Sequence, residues 1–304
     1  MDGISFDVRP GEIVALVGES GSGKSVTAFA LLDLVPEPGR TTGGEIVFEG
    51  RDVRGLPPAD LRKVRGGGIG LVFQEPGSAL DPVRTIGVEL AGVLRRHRGL
   101  SRAEARRAAV EWLRRVSLPE PERRLDDYPH RMSGGMKQRA TIALALAGGP
   151  RLLVADEPTT ALDVTIQAQI LALLRRLRDE LGLAVLLITH DLGVVAEVAD
   201  RALVMYAGEI VEEAEVAELF DAPAHPYTRG LLASRPDAGG APGARLVAIA
   251  GSVPEPGSRG AGCLFAPRCP EAVPGCLAAR PSLREVAPGH RAACILAAGP
   301  GGKP

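Results

Sequence analysis

Gly18-Glu19-Ser20-Gly21-Ser22-Gly23-Lys24-Ser25 is the stretch from which the fold is read. The apolar run Ile13 to Val17 precedes it and the apolar stretch Val26 to Leu32 follows, so the pattern predicts a buried strand, a tight loop and a helix in that order. Glycines at 18, 21 and 23 let backbone N–H groups turn inward around phosphate, and the positive end of the helix adds its dipole. On this reading Lys24 reaches the β- and γ-phosphates of a nucleotide and the Ser25 hydroxyl ligates Mg²⁺. An ordinary Gly-rich turn requires neither the lysine nor the hydroxyl, and the full pattern favours a site for ATP.

Arg151 to Glu157 reads Arg-Leu-Leu-Val-Ala-Asp-Glu, an apolar strand that delivers two carboxylates at its C-terminal end, where ligands bind in an open α/β sheet. Asp156 suits the Mg²⁺ shell and Glu157 the attacking water, although adjacent acids at a strand end also suit the cap of a following helix. Pro158-Thr159-Thr160-Ala161-Leu162-Asp163 comes next, and a second apolar strand, Ala184 to Thr189, ends in His190. A histidine there is ordinarily a structural hydrogen-bonder, but behind a phosphate loop it stands where a γ-phosphate contact is wanted. Met132-Ser133-Gly134-Gly135-Met136-Lys137-Gln138-Arg139 leads into the apolar helix Ala140 to Ala147. Ser133 can cap that helix while the glycines let a phosphate approach; alone, the Ser-Gly-Gly reads first as an ordinary capped turn.

The order of phosphate loop, Gln74, Ser-Gly-Gly, Asp-Glu strand, Ala-Leu-Asp and His resembles the ATPase subunits of ABC transporters, over residues 13 to about 220. The resemblance implies that Gln74 touches Mg²⁺ and water and relays nucleotide state to membrane subunits. It implies that Ser133, Gly134, Gly135 and Met136 contact ATP held by a second subunit, Met136 standing where glutamine is commoner. Glu157 matches the catalytic base, Asp163 the dimer-contact loop and His190 the switch histidine. The implied fold is an α/β P-loop NTPase with a mixed sheet and a helical arm. A soluble ABC ATPase of DNA repair or translation is the alternative, and it would carry a long coiled-coil or zinc-bearing insertion, or a second cassette, that this sequence lacks.

Composition agrees. The formal charge of −1 marks no nucleic-acid binder. No apolar run approaches the roughly 18 to 20 residues that span a bilayer, and no secretory signal opens the chain, so a cytosolic protein attached through partners is expected. A helix is predicted from Ser101, where Ser-Arg-Ala-Glu forms a capping box and Ala105, Ala108, Ala109, Leu113 and Val116 lie on or near one face. It belongs to the helical arm, about 76–131, that in this family docks on transmembrane subunits. Glu45 to Glu49 and Gly70 to Phe73 are expected strands, with a polar connection from Arg51 to Arg65; Thr165 to Leu181 and Leu192 to Ala199 are expected helices.

After about Phe220 the sequence turns rich in Pro, Gly and Ala, so an ATPase domain, 1–220, and a C-terminal extension, 221–304, are expected. His225-Pro226-Tyr227-Thr228-Arg229-Gly230-Leu231-Leu232 and Gly262-Cys263-Leu264-Phe265-Ala266-Pro267-Arg268-Cys269-Pro270 resemble the tail of ATPases of the oligopeptide, dipeptide and nickel importer group, as Gln74 to Pro82 resembles that group's Q-loop. That group implies a second ATPase subunit, two permeases, an extracytoplasmic solute-binding protein and a place on the cytoplasmic face of the plasma membrane. Cys263, Cys269, Cys276 and Cys294 all fall in this tail. Four thiolates suit a 4Fe-4S cluster or, with His290 as a spare ligand, Zn²⁺; unligated thiols are the plainer reading. Some members of the group carry a 4Fe-4S cluster there, which places iron–sulfur first and a structural brace as its role. One departure stands out: Met1 lies seventeen residues before Gly18. The family's first strand and its adenine-stacking aromatic are expected to be missing, through a start assigned too far downstream, with weak adenine selection as the consequence.

Overall fold

Continuous apolar runs make strands that are buried on both faces, and the computed structural model, which describes residues 1–235 and 249–297, follows that rule. Along the chain run β1 (Ile13–Val17), α1 (Lys24–Leu31), β2 (Val47–Phe48), β3 (Arg51–Asp52), α2 (Pro58–Lys63), β4 (Ile69–Val72), α3 (Pro76–Ala79), α4 (Ile86–Arg98), α5 (Arg102–Arg115), α6 (Pro121–Arg124), α7 (Gly134–Ala147), β5 (Leu152–Asp156), α8 (Val164–Leu181), β6 (Ala184–Thr189), α9 (Leu192–Val198), β7 (Arg201–Tyr206), β8 (Glu209–Glu215), α10 (Val216–Asp221), α11 (Pro226–Ala233), α12 (Gly275–Ala278), β9 (Arg284–Ala287) and β10 (His290–Ala292). They fall into two compact units, one of Met1–Asp7, Ile13–Thr27 and the chain from Thr189 onward, the other of Val8–Glu12 and Ala28–Ile188.

In the first unit β1 pairs parallel with β7, Val14 opposite Arg201 through Val17 opposite Val204. β7 turns into β8 through Ala207 and Gly208, both at positive φ as a two-residue hairpin requires, and β10 and β9 extend the sheet antiparallel from β8. The tail thus contributes two strands. Its Leu264 and Phe265 join Ala15, Val17, Tyr206, Leu219 and Tyr227 in one apolar core. Three rings interlock there: Tyr206 meets Tyr227 at 4.7 Å and Phe265 at 5.2 Å between centroids. Residues 236–248 and 298–304 of the expected extension lie outside the described residues.

In the second unit β4, β5 and β6 pair in parallel, Ile69 opposite Leu152 and Leu152 opposite Ala184. Helices α4, α5 and α7 bury Leu90, Leu94, Ala105, Ala109, Leu113, Ile142 and Leu146. The Ser101 capping box forms as read, its side chain accepting from the Glu104 N–H while the Glu104 carboxylate accepts from the Ser101 N–H. Several boundaries differ from expectation. Helix α8 begins at Val164 because the Asp163 carboxylate accepts the Ile166 N–H and caps it there. The strand expected over Glu45 to Glu49 shrinks to Val47–Phe48, an exposed two-residue pairing with β3 between Gly44 and Gly50, both at positive φ.

Candidate functional site

The phosphate loop connects β1 to α1. Gly18 is required by close approach, since a Cβ there would lie 2.1 Å from the Met205 carbonyl oxygen, and Gly23 is required by its φ of +109. Gly21 has φ +80 and open space around its missing side chain. Lys24, the first residue of the helix, is buried and folds back over the loop, its Nζ donating to the Gly18 oxygen at 2.8 Å and the Glu19 oxygen at 3.0 Å. Ser22 donates its N–H to the Glu19 oxygen and accepts from the Gly208 N–H with its own carbonyl. Its hydroxyl is buried with no hydrogen-bond partner among the described residues. A loop with three glycines at positive φ and a buried hydroxyl left unsatisfied among the described residues fits a polar anionic ligand. Ser20 is exposed, and Ser25 is half-buried one residue into the helix.

In the other unit, Asp156 closes β5 almost fully buried and Glu157 follows it at φ +45, a left-handed conformation that costs a non-glycine residue about 1 to 3 kcal/mol. The strained turn aims the Glu157 carboxylate at two donors: Gln74 Nε2 at 3.0 Å and Thr160 Oγ1 at 2.8 Å, both onto Oε2. The Glu157 N–H donates to the Ile188 carbonyl at 2.9 Å, which ties the turn to the end of β6. Gln74 and Glu157, 83 residues apart in sequence, are therefore brought together. Thr160 was missed from the sequence, where it reads only as one of two threonines in the loop after β5.

Ser133 caps α7, its hydroxyl accepting the Met136 N–H, and is exposed with Gly134. A Cβ on Gly135 would meet Ile166 Cγ2 at 2.8 Å and one on Gly134 would meet Leu162 Cδ2 at 3.6 Å, so the Ser-Gly-Gly turn lies against the Ala161-Leu162-Asp163 segment. The glycines thus have a packing reason as well as a chemical one. His190 is exposed just after β6, where Asp191 caps α9 through the Gly193 N–H.

The tail corrects one expectation. Cys263, Cys269, Cys276 and Cys294 all border one small cavity, together with His225, Phe265 and Ile295. Yet among the described residues no group of three or more His, Cys, Asp and Glu is placed to hold a metal ion, so neither the iron–sulfur cluster nor zinc is supported. The reasons are physical. The cavity is about 10 Å³, the size that takes one water at most. Burial pushes the Cys263 and Cys269 thiols above their ordinary range, against the thiolate a metal needs. His290, the spare ligand, is engaged with the buried Glu212 at 2.7 Å, and His225 Nδ1 accepts the Tyr227 N–H at 3.0 Å. Aromatic packing and the β8–β10 pairing hold this segment in place of a metal brace.

Comparison with known proteins completes the identification. Residues 1–160 match the family model described as ABC transporter. The chain belongs to that family. A second model, oligopeptide/dipeptide transporter, C-terminal region, matches residues 211–276 of this ABC ATPase. A Sinorhizobium fredii protein described as "Probable peptide ABC transporter ATP-binding protein y4tR" is 53% identical over 295 residues, covering 97% of this chain and 88% of that one. A Brucella abortus protein named for peptide import and ATP binding is 53% identical over 281 residues, covering 92% and 84%. Among solved structures, the dimeric ATP-binding cassette MJ0796 bound to ADP and Pi is 33% identical with a TM-score of 0.61, covering 70% of this chain and 89% of that one. As an ABC ATPase the chain binds ATP with Mg²⁺ and hydrolyses it. No helix among the described residues is long and apolar enough to cross a membrane.

Proposed function

We propose that this ABC ATPase powers import of peptides or similar solutes, dipeptides and oligopeptides first and nickel as a further cargo of the same group. One observation carries the reading: a C-terminal region of the oligopeptide/dipeptide type, at 211–276, stands on the same chain as the ATPase. Residues 1–220 serve as the ATPase domain, with 76–131 as its helical arm, and 221–304 as the extension.

In this role the loop Gly18 to Ser25 binds the phosphates, Lys24 supplying the point charge at the β and γ positions. Ser25, Gln74 and Asp156 offer the hard oxygen donors that suit Mg²⁺, which when bound adds positive charge at the phosphates. Glu157 accepts the proton of the attacking water, and Gln74, already hydrogen-bonded to that carboxylate, orients it. His190 serves the γ-phosphate. Ser133, Gly134, Gly135 and Met136 close on nucleotide held by a second ATPase subunit, with Asp163 at the same contact. Two transmembrane permeases and an extracytoplasmic solute-binding protein complete the assembly, which holds the chain peripherally on the cytoplasmic face of the plasma membrane and involves no nucleic acid. The permease seat in this reading is a groove of about 560 Å³ whose walls include Phe73, Ala79, Val88, Arg96, His97 and Leu144. Phe73 and Val88 are exposed there, and Phe73 adjoins Gln74 in sequence, which gives membrane subunits a lever on the hydrolytic residues.

The test is uptake of a labelled dipeptide and a labelled pentapeptide by cells lacking this chain. Restoration by the wild-type chain and not by Lys24→Ala is expected. Undiminished uptake of both peptides without the chain, alongside loss of another solute, would replace the cargo.

A further inference from the structure

Glu19 carries the wrong charge for a loop that holds phosphate, and the tail answers it. The Arg268 guanidinium grips the Glu19 carboxylate with two parallel bonds, Nη1 to Oε2 at 2.6 Å and Nη2 to Oε1 at 3.0 Å. Only 6% of the Arg268 side chain is exposed. Its Nε donates to the Ala250 carbonyl at 2.8 Å, and its cation lies 5.7 Å from the Tyr206 ring centre and 5.9 Å from that of Phe265, so the fork is locked before it meets Glu19. The Glu19 N–H, meanwhile, is turned out of the loop and donates to the Tyr227 hydroxyl at 2.9 Å. Tyr227 is fully buried and its own N–H is held by His225 Nδ1. Behind it the buried Glu212 accepts from the Ala224 N–H, the His225 N–H and His290. Both grips end on the residue whose carbonyl, at 3.0 Å, takes a hydrogen bond from Lys24.

We propose that Tyr227 and Arg268 are positioning residues of the ATP site: the C-terminal region fixes the Glu19 end of the phosphate loop and cancels its charge, and thereby sets ATP affinity. An uncompensated carboxylate one residue into an anion-binding loop repels the ligand, while a paired one does not. A loop whose outward amide is pinned keeps its inward amides aligned before the ligand arrives. The proposal rests on the nucleotide site at Gly18 to Ser25, and Lys24→Ala tests that site separately.

Equilibrium titration of the full-length chain with Mg-ATP, and steady-state hydrolysis by the assembled transporter, decide it. Arg268→Ala is expected to weaken ATP binding about tenfold and raise KM to the same extent with kcat within about twofold, because the change acts on ligand binding and leaves the attacking-water residues untouched. Tyr227→Phe is expected to raise KM about threefold. Arg268→Lys, which keeps the charge and loses the fork, falls between Arg268→Ala and wild type. The double variant Glu19→Gln/Arg268→Ala, which removes both charges, recovers most of the affinity that Arg268→Ala loses. If Arg268→Ala proves too unstable to purify, Arg268→Lys and Tyr227→Phe carry the comparison, and wild-type ATP affinity in both would overturn the proposal. ATP affinity within twofold of wild type in Arg268→Ala, a loss confined to kcat, or a double variant no better than Arg268→Ala would each overturn it.

Discussion

Lowering the pH from 7 to 5 is expected to withdraw about 2 kcal/mol of stability through one side chain, His225. That residue is 1% exposed, its Nδ1 accepts the Tyr227 N–H at the start of α11, and its ring packs on Phe265. Burial, with the Arg229 charge as a smaller cause, holds its pKa at about 4 against an ordinary 6.5. The sign follows directly. Between those values the unfolded chain takes up a proton that the folded chain refuses, so the stabilising contribution is present above pH 6.5 and is lost as the pH falls toward 4. At about 1.4 kcal/mol per pH unit the whole window is worth about 3 kcal/mol, of which roughly 2 falls between pH 7 and 5. Protonation at Nδ1 also removes the acceptor that anchors Tyr227, so the same titration loosens the tail's hold on the phosphate loop. The assay is urea unfolding of the full chain at pH 5, 6 and 7, wild type beside His225→Asn, whose side chain can still cap a helix without titrating. The wild type is expected to lose about 2 kcal/mol more than His225→Asn over this range. Parallel pH profiles for the two proteins would rule out His225 as the source of the loss.

Other outcomes follow from the packing and the site. Gly135→Ala drives a Cβ to 2.8 Å from Ile166 Cγ2 and is expected to cost about 1 to 3 kcal/mol in chemical denaturation, part of which Ile166→Ala in the same chain restores. Glu212→Ala strips the partner from the Ala224 N–H, the His225 N–H and His290 at once, and a loss of about 3 to 5 kcal/mol in the same assay is expected, with Glu212→Gln milder. Lys24→Ala is expected to abolish measurable Mg-ATP binding by calorimetry while leaving the urea midpoint of the nucleotide-free chain within about 1 kcal/mol of wild type.

The nucleotide loop and its flanking elements were legible because their constraints are local: a strand, three glycines, a lysine and a helix within twenty residues. The Ser101 box is local in the same sense. The hairpin of β7 and β8 escaped notice because Glu-Ile-Val-Glu-Glu-Ala-Glu hardly reads as a strand. Its buried acids find partners that the strand's own pattern does not show: Glu212 accepts from the Ala224 and His225 N–H groups and meets His290, 78 residues on, while Glu213 pairs with Arg201 across the hairpin and with Arg291. The tail misled in the opposite way. Its cysteines do gather at one cavity, but sequence clustering says nothing of cavity size or of what already occupies the histidines, and composition hid how much Phe265, Tyr227 and Leu264 bury. The pairing of Glu19 with Arg268 was equally invisible, since it joins positions 249 residues apart. The left-handed turn at Glu157 lies beyond any pattern of residue types.

Glu157→Gln in the assembled transporter is the most direct test, because Glu157 is the residue proposed to accept the proton of the attacking water. Phosphate release and uptake of labelled peptide are measured together in proteoliposomes, beside a binding titration of the isolated chain. ATP bound at wild-type affinity, phosphate release lowered by about a hundredfold or more, and peptide uptake lost in step are expected. Phosphate release within a fewfold of wild type from Glu157→Gln, with uptake intact, would contradict that role for Glu157.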